Sequence, residues 1–242
     1  MLKIPLKRLL PLLILLLLLF LFFYFRLGQY LSFDSLKEHR TQLITWTKTH
    51  YLATVLAFMG TYILTVAIAV PGALFLTLTS GFLFGIFWGT LYVIISATIG
   101  ATLLFLAVHS ALGEWLSQKT TQWITKMKKG FHENAFSYLI ILRLIPVFPF
   151  WAINIVSGLL KVKPKTFILA TFIGIIPGAF IYAMIGNSLG LIFDRNEKPD
   201  LHIVFSPEIL LPLIALALLL FLPIIYHQLK EKHRRKKRNT SL

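Results

Sequence analysis

The sequence predicts an all-α integral membrane protein of about five to six transmembrane helices, with two re-entrant hairpins in an inverted repeat. Three observations carry this expectation. Of the 242 residues, 57% are hydrophobic and 14% charged, where a soluble domain has about 45–50% and about 25%. The apolar residues fall in long blocks, and a helix needs about 20 of them to cross a bilayer. Two of those blocks are interrupted by Pro, Gly and polar residues. The composition excludes an ordinary soluble enzyme and a disordered chain. With 0 Cys, a disulfide, a thiolate nucleophile and a Cys-ligated metal are excluded as well.

The first block runs from Leu9 to Phe25, after Lys3, Lys7 and Arg8. It leaves through Arg26-Leu27-Gly28 with no small-x-small cleavage site, so an uncleaved anchor is expected rather than a signal peptide. Residues 26–49 are polar with mixed charge but hold Phe33, Leu36, Leu43, Ile44 and Trp46. That pattern suits a short interfacial helix. Ordinary spans are expected over 51–70, 91–112, 167–191 and 209–226. The first broken block, 71–90, opens on Pro71 and carries Gly72, Gly81, Gly85 and Gly89. The second, 138–160, carries Arg143, Pro146, Pro149, Asn154 and Gly158. Each reads as a re-entrant hairpin or as a kinked helix that crosses fully. The hairpin is preferred, because Pro and Gly release backbone groups that must find partners in protein or a wet cavity at membrane depth. The expected divisions are 1–49 for anchor and interfacial segment, 50–192 for a membrane core, and 193–242 for a last span and basic tail.

The broken blocks look related. An offset of 77 residues carries Gly81 onto Gly158, Gly100-Ala101 onto Pro177-Gly178, and Leu112-Gly113 onto Leu189-Gly190. Each half is then a broken block, one full span and a closing Leu-Gly. With one crossing between the hairpins, the halves face opposite ways. That is a transporter architecture, with the substrate site between the halves.

A net charge of +15 would suggest nucleic acid in a soluble chain. Here no nucleic-acid partner is expected. The charge sits in loops and in the tail KEKHRRKKR at 230–238, where it orients the chain and attracts anionic lipid. The tail marks the cytoplasmic side and the acidic loop 192–208 the opposite one. Five spans then leave the N-terminus outside, against Lys3, Lys7 and Arg8. A full crossing by 71–90 brings both termini inside, and that arrangement is favoured. In a bacterium the chain belongs in the plasma (inner) membrane.

Of the basic residues, only Arg143 falls deep inside an apolar block. A charge at that depth faces the bundle interior or a wet cavity. Its guanidinium matches phosphate bidentately and keeps its proton. The competing readings are snorkelling at a hairpin mouth or pairing with Glu114 or Glu133. Asn154 falls on the returning limb, where its amide can bind freed backbone groups or a headgroup. Pro146 and Pro149 are expected to make the turn. Gly81, Gly85 and Gly158 are expected to allow close backbone approach. Pro71, Pro177 and Gly178 are expected to shape the same framework. His109 reads as an interface residue. No His/carboxylate set at metal spacing, no Ser-His-Asp set and no nucleotide-binding glycine motif occurs, so no metal, cofactor or enzymatic activity is expected.

The run Pro71…Ser80-Gly81-Phe82-Leu83-Phe84-Gly85 with Gly100-Ala101-Thr102 resembles the first half of the DedA/VTT-domain superfamily, in its SNARE-associated Golgi protein-like branch. The run Leu142-Arg143-Leu144-Ile145-Pro146-Val147-Phe148-Pro149-Phe150, with Asn154, Gly158, Gly174, Pro177-Gly178 and Gly186, resembles its second half. The resemblance covers about residues 50–192. It implies two opposed re-entrant hairpins, each followed by a spanning helix. It also implies lipid translocation, either phospholipid scrambling or recycling of undecaprenyl phosphate, with ties to membrane homeostasis and proton-dependent transport. The chain departs from the proton-coupled bacterial members, which carry acidic residues at or near the first hairpin. Here 51–112 contains no Asp or Glu, and the nearest acids are Asp34, Glu38 and Glu114. The expected partners are membrane lipids, an anionic phospholipid or a polyprenyl phosphate, with a homo-oligomer left open. A transporter of a small solute or ion, and a non-transporting scaffold that recruits a partner through its tail, stand as alternatives.

Overall fold

The computed structural model describes residues 6–111, 134–145, 148–195 and positions 206–207, 209–212, 214–215 and 218, with side chains from residue 9 onward. The elements are α1 (Leu6–Tyr24), a 3-10 turn (Leu27–Tyr30), α2 (Phe33–Glu38), α3 (Arg40–Thr49), α4 (Tyr51–Ala67) and α5 (Ala73–Ala111). They continue with α6 (Asn134–Leu144), α7 (Phe150–Leu159), α8 (Pro164–Gly174), α9 (Ile176–Asn187) and α10 (Leu189–Asp194).

The leucine run makes α1, which packs on α5 but leaves Leu10, Leu17, Phe20 and Phe23 exposed, a face suited to lipid. The polar stretch after it forms α2 and α3. The Ser32 hydroxyl accepts from the Ser35 amide at 3.2 Å and caps the first turn of α2. α3 meets α4 at 118°, so the segment turns across the end of α4 instead of extending it. Leu36 is buried there, while Trp46 stays exposed.

By length and apolar composition, two stretches among the described residues suffice to cross a membrane, Ala73–Ala111 and Pro164–Asp194. Counting the bent pair α3–α4 as one makes three. The expected five spans are not reached on this criterion, and most of 209–226 lies outside the described residues.

α5 is not one rod. Gly85 has φ 74° and ψ 178°, a conformation open to glycine. Beyond it the chain folds back: a methyl group on Gly89 would lie 2.7 Å from the Ser80 carbonyl oxygen. The rings of Phe84 and Tyr92 meet edge to face at 5.3 Å. Gly85 is therefore a turn residue. The expectation that it permits close backbone approach is not met, since only Asn187 comes within 4.0 Å of a Cβ placed there.

A second reversal precedes α5. The Ala69 amide donates to the Val66 carbonyl at 3.1 Å and the Val70 amide to Thr65 at 3.0 Å. This is a Schellman cap with Ala69 at φ 61°. Pro71 lies in the same reversal. Residues 71–90 thus hold the return limb of one reversal and the whole of another.

The offset of 77 now fits helix ends. It carries Ala67, the last residue of α4, onto Leu144, the last of α6, and Ala73, the first of α5, onto Phe150, the first of α7. It carries Ala111 onto Ser188, one residue past α9. The counterpart of the Gly85 turn is a second Schellman cap at Lys161, φ 55°. There the Lys161 amide donates to Gly158 and the Val162 amide to Ser157, both at 3.2 Å. Each unit is longer than the glycines suggested, because it includes the helix before the break.

The units interlock reciprocally. A methyl on Gly81 would overlap the Ala183 carbonyl, and one on Gly186 would overlap the Leu78 carbonyl. Gly158 sits against Phe105, Val108 and His109. The offset carries Gly81 onto Gly158 and Phe105–His109 onto Tyr182–Gly186. Two contacts that exchange under one operation are the mark of a two-fold relation. Phe105 and Phe167 stack between the units at 4.2 Å and 10°. Buried hydroxyls along this interface return to their own helices: Ser80 to Thr77 and Ser157 to Ile153, each at 2.6 Å.

Gly81→Ala is expected to cost about 3 kcal/mol or more, through forced separation of two backbones. Gly60 on α4 has nothing within 4 Å of its Cβ position. Gly60→Ala is expected to stabilise by about 0.5–1 kcal/mol. Thermal unfolding of both variants in detergent checks the pair.

Candidate functional site

Arg143 occupies the last turn of α6, among Ile140, Ile141 and Leu144, which are buried in the core. Its stem runs along α8 at Gly174, where a methyl group would come within 2.9 Å of the Arg143 Cβ. This close pass aims the guanidinium between α7 and α8. Nη2 donates to Asn154 Oδ1 at 2.6 Å and to Thr171 Oγ1 at 3.0 Å. The guanidinium carbon lies 4.2 Å from the Phe150 ring centroid and 5.6 Å from that of Phe167, within the range of about 6 Å for a cation–π contact.

No carboxylate answers this charge among the described residues. An ion pair among them joins Arg40 on α3 to Asp194 on α10 at 2.5 Å, at an exposed edge. Glu114 and Glu133 lie outside the described residues. Nε and Nη1 of Arg143 and Nδ2 of Asn154 are buried without a hydrogen-bond partner. A buried ion left unpaired costs several kcal/mol, and each orphaned donor adds about 1–3 kcal/mol.

Arg143 lines a cavity of 280 Å³ between the units. The wall includes Arg143 and Phe150 from the second unit with Tyr62, Thr77 and Val93 from the first, and Gly178 of α9. Tyr62 and Thr77 share a hydrogen bond of 2.9 Å, and the Thr77 hydroxyl donates to the Ala73 carbonyl at 2.8 Å.

Of the sequence-derived candidates, the fold brings Arg143 and Asn154 together. Asn154 serves the arginine and not the free backbone. Pro149 caps α7 at φ −58° and ψ 132° and so completes the turn. Pro146 lies outside the described residues. Pro177 stands in the first turn of α9, and Gly178 faces open space with nothing within 4 Å of a Cβ. Pro71, Gly81, Gly85 and Gly158 shape the framework and are not in the cavity wall. His109 lies beside the Phe105 ring at 5.3 Å, away from the cavity. Thr171, Phe150, Phe167, Tyr62 and Thr77 were missed by sequence reasoning. Thr77 had a signal, since the offset of 77 carries it onto Asn154. The others sit in apolar runs that carry no mark of a site.

Arg143→Met is expected to leave the melting temperature unchanged or raise it, since it removes an uncompensated buried cation. Asn154→Leu is expected to cost about 2–4 kcal/mol, because the cation stays and loses its acceptor. Thermal unfolding of the two variants side by side measures the contrast.

Residues 70–188, from the first reversal to the end of α9, match the VTT domain. Over 204 residues the chain is 31% identical to Transmembrane protein 41B of Mus musculus, spanning 82% of this chain and 68% of that protein. The protein of the same name from Xenopus laevis is 30% identical over 204 residues, 82% of this chain and 71% of that one. The one from Homo sapiens is 29% identical over 204 residues, 82% and 68%. No solved structure matches the chain. With the two units, the buried arginine and the apolar helices already in view, these likenesses make the chain a membrane protein of the VTT-domain family.

Proposed function

We propose that the chain translocates a phosphate-bearing lipid across the bilayer, with Arg143 as the station for the headgroup. The observation that carries the proposal is a buried arginine, its Nε and Nη1 unpartnered, that lines a cavity between two units. A phosphate supplies what the protein withholds, a negative charge with several acceptor oxygens in a plane that suits the guanidinium fork. The family expectation of lipid translocation points the same way. At 280 Å³ the cavity is at the small end of ligand pockets, which run from about 300 to 1,000 Å³. It suits a headgroup whose tails stay in lipid.

The reversal at 68–72 supports reading the first two pieces of the first unit as a re-entrant pair, and the break between α6 and α7 falls at the corresponding place in the second. A unit has three helical pieces with a break between each. It ends on the side opposite its start whether all three cross or only the last does. The second unit, entered through the polar stretch 112–133, is then inverted with respect to the first. The basic tail lies on the cytoplasmic side. The action is movement down a gradient, without bond chemistry at the site.

Purified protein reconstituted into liposomes with labelled lipids tests the proposal. The expected result is lipid movement above empty vesicles, reduced about 10- to 100-fold by Arg143→Met, the worth of charge-assisted hydrogen bonds to a phosphate. No movement of phospholipid or polyprenyl phosphate above empty vesicles overturns it. A solute or ion flux that Arg143→Met abolishes, with no lipid movement, replaces it with the small-solute reading.

A further inference from the structure

The cavity has two poles of opposite hydrogen-bonding sense. At one stands Arg143, which lines the cavity and whose Nε and Nη1 are buried donors with no partner. At the other stands Tyr62. The single hydroxyl proton of Thr77 goes to the Ala73 carbonyl at 2.8 Å. In the 2.9 Å contact between Thr77 and Tyr62, the phenol must therefore be the donor. With its proton spent on Thr77, the Tyr62 oxygen offers the cavity lone pairs only. It accepts and does not donate.

A ligand that satisfies both poles carries an acceptor-rich anion at one end and a hydrogen-bond donor close by. A phosphomonoester, such as a polyprenyl phosphate or phosphatidate, has no headgroup donor beyond the phosphate and leaves Tyr62 unanswered. A phosphodiester with a hydroxyl or ammonium headgroup answers it. Charge separates those two. The described residues lining the cavity include one cation, Arg143, and no carboxylate. A lipid of net charge −1 neutralises that cation. A zwitterionic lipid leaves the site at +1 and sets its ammonium near a guanidinium in a low-dielectric space, where like charges repel strongly.

Resting on the proposal that this cavity takes a lipid headgroup, we infer that it selects anionic phosphodiester lipids with a hydroxylated headgroup, phosphatidylglycerol being the simplest. Tyr62 is the residue that reads the hydroxyl, and Thr77 is the positioning residue that holds the phenol in its accepting orientation.

The test uses the full chain in detergent and short-chain lipids of four kinds: phosphatidylglycerol, phosphatidylmethanol, phosphatidylethanolamine and phosphatidate. Phosphatidylmethanol has the same phosphodiester charge without the headgroup hydroxyl. Phosphatidylglycerol is expected to bind tightest, by about 5-fold over phosphatidylmethanol, the worth of one net hydrogen bond. Tyr62→Phe and Thr77→Val should each bring that ratio toward one, the first by deleting the acceptor and the second by freeing the phenol to rotate. Equal affinities for phosphatidylglycerol and phosphatidylmethanol overturn the inference, as does tighter binding of phosphatidate or phosphatidylethanolamine. A ratio that survives both substitutions overturns the role of Tyr62. The same lipids followed in liposomes separate the two claims. Selective binding without movement removes the transport proposal and keeps this one, while movement without selectivity does the reverse.

Discussion

Backbone-to-backbone contact at Gly81 and Gly186 is the constraint on which the rest of the fold depends. Apolar side chains cannot drive helices together when lipid is as apolar as they are, so close packing has to supply the attraction. Two glycines let the first limb of α5 and α9 meet with no side chain between them. The contact fixes where Leu78 and Ala183 lie, and with them the walls of the space between the units. The N-terminal segment closes round the same crossing. Leu36 of α2 packs with Leu78, Leu189 and Phe193, and Arg40 reaches Asp194 from α3. That exposed ion pair contributes little energy by itself. Its place, joining the first and last of these elements over the crossing, is what makes it useful as a marker of how the segment docks.

Inside this frame the protein carries a cation at a cost in stability. The two rings and two neutral acceptors round Arg143 make the charge tolerable without neutralising it. A stabilising design would have set a carboxylate there or an apolar side chain of similar volume. Keeping unspent donors buried is a departure from stability that, on the proposed reading, a passing anion offsets only while it is bound. A permanent partner would tighten the fold and close the site, so the same property that weakens the protein leaves it receptive.

Much of the architecture was legible in the sequence, because membrane helices announce themselves by length and apolarity and their breaks by Pro and Gly. The offset of 77 was visible in glycines before any helix end was known. The misreadings came where one residue type has two uses. Gly85 and Gly81 look alike in sequence, yet one supplies a positive φ and the other a bare surface, and only the path of the chain separates them. The breaks near Ala69 and Lys161 were placed by the ends of the apolar blocks at 70 and 160, but their left-handed form was not legible, because such caps usually carry glycine and neither residue signals one. At the site, Arg143 stood out because charge is costly in lipid, and Asn154 stood out because amides are rare there. Thr171, Phe150 and Phe167 are ordinary residues for a membrane helix. Their role arises from α7 and α8 converging on one guanidinium, a relation no local pattern encodes.

The repeat also explains why the site is one-sided. Under the offset, Ser80 answers Ser157 and Gly81 answers Gly158, so the framework is held in common by both units. Thr77 answers Asn154, and both are polar and buried. Val66 answers Arg143, and there the correspondence ends. If both units carried the arginine, the core would hold two uncompensated buried cations. If neither did, the space would be an apolar gap with a few hydroxyls. A single substitution in one copy leaves a donor pole on one unit and an accepting hydroxyl pair on the other. The scaffold is therefore symmetric where it packs and asymmetric at the cavity, and on the proposed reading that asymmetry gives a headgroup only one way to lie.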